Sequence, residues 1–104
     1  MVAIAMHIVN TSRDDPLKAN AEVWRLMDER GISRHPKGQQ FHAAWLVGAD
    51  LHVFNVWDSE EDNDAFMRDL RPILEEVGMG IAAPPEAGEL VQFVQPTVAA
   101  ASGT

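Results

Sequence analysis

Two apolar segments separated by a short turn limit what this chain can fold into. Residues 41–47 and 51–57 are rich in aliphatic and aromatic side chains, and Gly48, Ala49 and Asp50 lie between them. Two such segments joined by a few turn residues predict an antiparallel hairpin. Apolar side chains occupy both alternating sets of positions in each segment, so we expect both faces of the sheet to be buried.

One strand and one helix are predicted before the hairpin. Residues 2–9 are almost all apolar, which is typical of a strand that is buried on both faces. Asp15 is a suitable N-cap and Pro16 suits the first helical position, so a helix is predicted to begin there. The apolar face of this helix continues to Gly31, where we expect the helix to end.

A second helix and a final strand are predicted after the hairpin. Ser59 is the expected N-cap, and an apolar face follows it for several turns. Pro72 predicts a break or kink near Arg71, because proline cannot donate a backbone hydrogen bond. A loop is expected over residues 79–88 and a last strand over residues 89–95.

The predicted order of elements is β-α-β-β-α-β over residues 1–96, followed by a tail over residues 97–104 that is predicted to be disordered. This order is typical of the α+β class and of a ferredoxin-like sandwich, in which two helices cover one face of the sheet. The other face is also apolar, and a chain of 104 residues has no further element to cover it. We therefore expect a single domain that forms a homodimer through its sheet faces.

Composition excludes several classes of function. The chain contains no cysteine, which excludes disulfides and thiolate chemistry. Its net charge of −8 disfavours binding to nucleic acid or to anionic membranes. The N-terminal segment lacks both the basic start of a signal peptide and the ~20 apolar residues of a membrane span, so a cytoplasmic location is expected. No metal-site spacing and no glycine-rich phosphate loop is present, so neither a metal nor a cofactor is expected.

Several polar and aromatic side chains are candidates for a small-molecule site. We expect the first strand to lie beside the third in parallel orientation. That arrangement would bring the end of the first strand, the start of the second and the end of the third to one edge of the sheet. The residues placed there are His7, Asn10, His42, Asn55 and Trp57, and Phe66 of the second helix would cover them.

Each of these residues has a candidate chemical role. His7 and His42 are the candidate catalytic residues, since an imidazole exchanges a proton near neutral pH. Asn55 and Asn10 could hydrogen-bond a substrate carbonyl or a developing oxyanion. The two aromatic residues could form the walls around an apolar or aromatic small molecule. The alternative interpretation is structural, because histidines on apolar strands often bond to backbone or water and large aromatics often anchor small cores.

The second half of the chain also carries a set of short motifs. They are Phe41-His42-Ala43-Ala44, Val53-Phe54-Asn55-Val56-Trp57-Asp58-Ser59, Phe66, Leu70-Arg71-Pro72-Ile73-Leu74, and Gly78 with a proline-bearing loop after it. Together they resemble the antibiotic-biosynthesis-monooxygenase-like members of the dimeric α/β-barrel superfamily, over residues 38–95. The resemblance implies a ferredoxin-like fold, dimerisation through the sheets, and a pocket between sheet and helices.

The resemblance leaves the reaction open. Members look like cofactor-free quinone-forming monooxygenases, haem-degrading enzymes or small proteins of unknown role. Where the haem-degrading members use asparagine, tryptophan and histidine, this chain carries His7, Phe66 and Val77, so haem degradation is not implied. Three hypotheses follow: a cofactor-independent monooxygenase or isomerase acting on an aromatic or polyketide-like compound, a binding protein without catalysis that uses the same pocket, and a structural or regulatory dimer.

Overall fold

The computed structural model of the protein describes residues 1–94. Its strands and helices follow one another in the predicted order, with one additional short strand near the end. They are β1 (Val2–Asn10), α1 (Pro16–Glu29), β2 (Gln39–Val47), β3 (Asp50–Trp57), α2 (Glu60–Val77), β4 (Met79–Ile81) and β5 (Glu86–Glu89). The end of the predicted last strand at Gln95 and the predicted tail lie outside the described residues.

The five strands form one antiparallel sheet in the order β2-β3-β1-β4, with β5 also paired to β1. β5 pairs with the first half of β1 and β4 with its last residues, so the two short strands share one edge of β1. The two helices cover one face of this sheet. The predicted α+β, ferredoxin-like fold is confirmed.

The relative direction of β1 and β3 differs from the prediction. The two strands are antiparallel, with Val2 opposite Trp57 and Ile8 opposite Leu51. The physical reason is the crossover through α1, after which β2 runs parallel to β1. The hairpin turns β3 back in the opposite direction, and β3 lies between the two. The predicted parallel arrangement is therefore wrong, and so is the single edge at which the candidate residues were expected to meet.

Both helices begin at the predicted caps. The Asp15 side chain accepts a hydrogen bond from the Leu17 backbone N–H at 2.8 Å, and the Ser59 hydroxyl accepts one from the Asp62 N–H at 3.2 Å. Each bond satisfies an N–H that lacks a partner within its own helix.

Where the sequence predicted a break or kink, the second helix is not broken. α2 continues through Pro72 to Val77. Pro72 lies on the exposed side of the helix, whereas Ile73 and Leu74 after it are buried in the core. Burial of two large aliphatic side chains compensates for the single backbone hydrogen bond that the proline removes.

The C-terminal strands also differ from the prediction. A strand was expected over residues 89–95, but β5 ends at Glu89, and β4 lies within the expected loop. β4 and β5 pair with the backbone groups of β1 on the edge opposite β3, so these groups do not remain without partners. Pro84 and Pro85 separate them, since a proline has no N–H to donate to the neighbouring strand.

The hydrophobic core lies between the sheet and the helices. Its largest completely buried side chains are Trp57, Met27 and Ile73. Neither helix within residues 1–94 is long and apolar enough to cross a bilayer. The opposite face of the sheet, here called the open face, is not covered by a helix and carries Phe41, Trp45, His52, Phe54 and His7.

Candidate functional site

A cavity of about 140 Å³ lies between the sheet and the two helices. Most of its wall is apolar and comes from α1, α2 and the helix-covered face of β3. The apolar residues that enclose it include Val23, Met27, Leu51, Val53, Phe66 and Leu74. An apolar cavity with a few polar groups is the usual form of a small-molecule site.

His42 and Asn55 form a hydrogen-bonded pair in the wall of this cavity. They lie directly opposite each other on β2 and β3, so their side chains point to the same face of the sheet. The His42 Nδ1 and Asn55 Oδ1 atoms are 2.5 Å apart, and Asn55 is only 2% exposed. Because an amide oxygen only accepts, Nδ1 carries the proton and Nε2 of the neutral ring is the acceptor.

A tryptophan and an arginine also line the cavity. The Trp24 ring meets the His42 ring edge-on, with 6.3 Å between the centroids, and the Arg34 guanidinium lies over Trp24 at 5.0 Å. Arg34 donates two hydrogen bonds to the Asp28 carboxylate, at 2.7 and 3.1 Å. These bonds lower the pKa of Asp28 and raise the pKa of Arg34.

Neither Trp24 nor Arg34 was among the residues that the sequence pointed to. Trp24 lies on the apolar face of α1, where a core residue and a cavity wall look the same in sequence. Arg34 lies in the polar connection before β2, and nothing in its local pattern distinguishes it from an ordinary surface arginine.

Three of the predicted site residues line the cavity: His42, Asn55 and Phe66. Trp57 lies behind the cavity wall, 0% exposed, with its ring 5.7 Å from that of Phe66. Its buried indole N–H has no hydrogen-bond partner among the described residues. Trp57 is therefore a core residue that supports Phe66 and does not itself reach the cavity.

His7 lies on the open face, away from the cavity. Its Nε2 atom is 2.9 Å from the Asp50 carboxylate, and its ring stacks on His52 with 4.4 Å between the centroids. The Trp45 ring also stacks on the His52 ring, with 5.8 Å between the centroids. The hydrogen bond from His7 holds the pKa of Asp50 below its usual value, and a bond from the Asn10 N–H adds to this effect.

Asn10 stabilises the turn between β1 and α1. Its side-chain oxygen accepts hydrogen bonds from the Ser12 N–H at 3.1 Å and from the Ser12 hydroxyl at 2.5 Å, and its amide donates to the Asp14 carbonyl at 3.2 Å. The oxygen and the nitrogen of the Asn10 amide are therefore both bonded within this turn. The predicted meeting of Asn10 and His7 with the other candidates does not occur, because β1 is antiparallel to β3.

Residues 1–94 contain no cluster of three or more histidine, aspartate or glutamate side chains arranged to hold a metal ion. The His7, His52 and Asp50 side chains lie near one another on the open face. In that group one imidazole nitrogen and the carboxylate already bond to each other.

Comparison with known proteins identifies related folds. No protein-family model matches the sequence, and no curated protein matches it at a significant level. Among solved structures, a structural-genomics protein named YJCS superposes with a TM-score of 0.66 at 12% identity, over 86% of this chain and 98% of that one. A putative antibiotic biosynthesis monooxygenase from Deinococcus radiodurans gives 0.61 at 9% identity, over 93% and 99% of the two chains.

A second protein described as a putative antibiotic biosynthesis monooxygenase, from Nitrosomonas europaea, gives a TM-score of 0.51 at 12% identity and covers 84% of this chain and 86% of its own. Identities this low show the fold and carry no information on chemistry. The sequence resemblance is thus confirmed at the level of architecture: this chain has the ferredoxin-like fold of the antibiotic-biosynthesis-monooxygenase-like proteins.

Proposed function

We propose that the cavity binds a small aromatic molecule and that the protein is a cofactor-independent monooxygenase in which His42 is the general base. The observation that carries the proposal is the His42–Asn55 pair. Its hydrogen bond leaves Nε2 as the acceptor of a side chain that lines an apolar cavity. A base held in one tautomer beside an apolar, aromatic-sized space suits proton abstraction from a phenol.

The reaction balances without an external reductant. His42 Nε2 accepts the phenol proton, and the resulting phenolate reduces dioxygen by one electron. The two radicals join to form a ring peroxide. The protonated His42 then returns its proton to the peroxide, and loss of water from the peroxide and the ring C–H leaves a quinone. One oxygen atom enters the ring and the other leaves as water, so the substrate supplies all four electrons that dioxygen accepts.

The chain's own residues have separate parts in this scheme. Asn55 is a positioning residue, because it holds the His42 ring and selects its tautomer without contributing charge. Phe66, Val23 and Met27 form apolar walls against which the ring of the substrate would pack. The low polarity of these walls strengthens every electrostatic interaction inside the cavity.

The experiment is an oxygen-consumption assay on a panel of phenols and hydroquinones, with quinone formation followed by absorbance. His42→Gln should reduce turnover about 100-fold or more, the usual contribution of a general base. His7→Gln is the matched control, because it changes another histidine in the same way on the opposite face. Equal losses in the two variants, or no loss in His42→Gln, would contradict the assignment of the base.

The alternative is a binding protein that uses the same cavity without catalysis. The apolar wall and the small volume support ligand binding whether or not oxygen is consumed. Phenols that bind to the cavity and are recovered unchanged in air would favour this alternative over the monooxygenase.

We also propose that a second copy of the chain covers the open face. Trp45 on this face is 50% exposed and Phe41 38% exposed, and Phe41 packs against both Phe54 and Phe93. Such a large aromatic surface on a small protein marks an interaction site. An aromatic patch is complementary to itself, which suits a two-fold dimer.

A further inference from the structure

We propose that the ligand of the cavity is a single-ring aromatic acid whose anionic group pairs with Arg34. The inference rests on the proposed function only in taking the cavity as the ligand site, and it holds whether or not the ligand is oxidised. Three observations carry it: the size of the cavity, the charge of its lining, and the position of Arg34 relative to Trp24 and His42.

The size of the cavity sets the number of rings. Its volume is about 140 Å³. An engineered apolar cavity of about 150 Å³ in another protein accepts one benzene molecule. A fused two- or three-ring compound exceeds this volume, so it would either extend out of the cavity or displace close-packed side chains of the core.

The charge of the lining sets the sign of the ligand. The chain as a whole is acidic, with 16 aspartate and glutamate residues against 8 lysine and arginine residues. The cavity lining reverses this balance: among the described residues that form it, Arg34 is the one lysine or arginine, and no aspartate or glutamate is present. The lining itself therefore presents one cation, and the Asp28 carboxylate that pairs with it lies outside the lining.

The geometry gives the ligand two polar contacts at different ends. Trp24 touches both the His42 ring and the Arg34 guanidinium, so a molecule lying along Trp24 reaches both groups. A phenol oxygen at His42 and a carboxylate at Arg34 satisfy the two contacts with one ring between them. The planar guanidinium suits a carboxylate, because it can donate two parallel hydrogen bonds.

Without a ligand, the Asp28 carboxylate pairs with the Arg34 guanidinium that would bind the anionic group of the ligand. It accepts two hydrogen bonds from Arg34 but does not line the cavity. The two side chains are 55% and 52% exposed, so their pairing is easily exchanged for another carboxylate. Removing the Asp28 charge should then strengthen binding of an anionic ligand.

The test is isothermal titration calorimetry with three probes: 4-hydroxybenzoate, its neutral analogue 4-hydroxybenzamide, and the two-ring acid 6-hydroxy-2-naphthoate. We expect 4-hydroxybenzoate to bind about tenfold more tightly than the amide, the usual effect of a charge-assisted hydrogen bond. The two-ring acid should bind at least about tenfold more weakly than 4-hydroxybenzoate, because it overfills the cavity.

Two variants at the ion pair and one matched control locate the effect. Arg34→Gln should abolish the preference for the acid over the amide, whereas Asp28→Asn should increase it. Arg68→Gln removes the same charge from an exposed position of α2 that does not line the cavity, and it should leave the preference unchanged.

The outcomes separate this inference from the proposed reaction. Binding of the acid with the expected preference, but without oxygen consumption, supports the inference and contradicts the monooxygenase. Equal affinity for acid and amide, tighter binding of the two-ring acid, a preference that survives Arg34→Gln, or no binding of any probe would each overturn the inference. Oxidation of neutral or larger phenols at His42 would overturn it while supporting the proposed function.

Discussion

His42 and His7 lie on opposite faces of one sheet, and their hydrogen-bond partners differ in kind. His42 is paired with a buried, uncharged amide at the wall of a cavity. His7 is paired with a carboxylate at the end of the hairpin and stacked on a second imidazole. An amide partner fixes the tautomer of a histidine, whereas a carboxylate partner forms an ion pair with it when it is protonated.

This difference is the reason why we propose different roles for two histidines of similar sequence context. Both lie on strands with apolar neighbours, and both were candidate proton acceptors. The Nε2 atom of His7 bonds to the Asp50 carboxylate, and this pair lies on the face of the sheet that no helix covers. The bond between His42 and Asn55 leaves the other imidazole nitrogen of His42 as an acceptor beside the apolar cavity. The chemistry of the partner and the presence of a cavity, and not residue type, separate the proposed catalytic face from the proposed assembly face.

The largest expected effect tests the open face as a dimer interface. Trp45→Glu places a charge among aromatic side chains, and burying it without a partner costs several kcal/mol, which is about a 1,000-fold loss of dimer affinity. Leu46→Glu is the matched control, because the neighbouring side chain is similarly exposed but points to the other face. Sedimentation velocity at micromolar concentration measures both variants. A wild-type chain that stays monomeric and folded would contradict the proposed interface.

A smaller effect compares loss of the imidazole on each face. His42→Ala leaves the buried Asn55 oxygen without its partner, which should lower the free energy of unfolding by about 1–3 kcal/mol. His7→Ala leaves a carboxylate that water can reach, so its loss should be smaller. Urea denaturation at one protein concentration compares the two variants.

The double variant His42→Ala/Asn55→Ala is the control for this comparison. It removes the unpaired oxygen as well, so part of the stability lost in His42→Ala should return. If the double variant is as unstable as the sum of the single ones, the hydrogen bond between the two side chains contributes nothing to stability.

The smallest effect is the pH dependence that Asp50 contributes. Its pKa in the folded protein lies below the ordinary value of 3.8, chiefly because of the hydrogen bond from His7. The unfolded chain therefore binds the proton more tightly, and the stability that Asp50 adds is present above pH 3.8 and lost as the pH falls through its folded pKa. In Asp50→Asn, stability should fall less steeply below pH 4 than in the wild type. Parallel acid-unfolding curves would show that this pair has no role in the acid response.

Much of the fold could be predicted from sequence because local signals specify it. Asp15 and Ser59 are N-caps through their own side-chain oxygens, and the glycine after α1 has a positive φ of 73° that favours glycine. The hairpin follows from two apolar segments and a turn, with Gly48 at a φ of 62°. These features depend on residues within a few positions of one another.

The candidate site could be predicted only in part. His42, Asn55 and Phe66 were identified and do meet, because hairpin register and an adjacent helix bring them together. His7 and Asn10 were grouped with them through a wrong strand direction. Trp24 and Arg34 were missed, since their nearness to His42 comes from packing α1 and its following loop onto the sheet.

The sequence alone therefore determined the order of the first five elements, the helix caps, the hairpin and the acidic net charge. Tertiary structure alone decided which histidine faces the cavity, which polar group each one pairs with, and that one arginine lies beside it. The physical reason is that a strand's direction and the packing of a helix depend on contacts between residues far apart in the chain. No local pattern of side chains records those contacts.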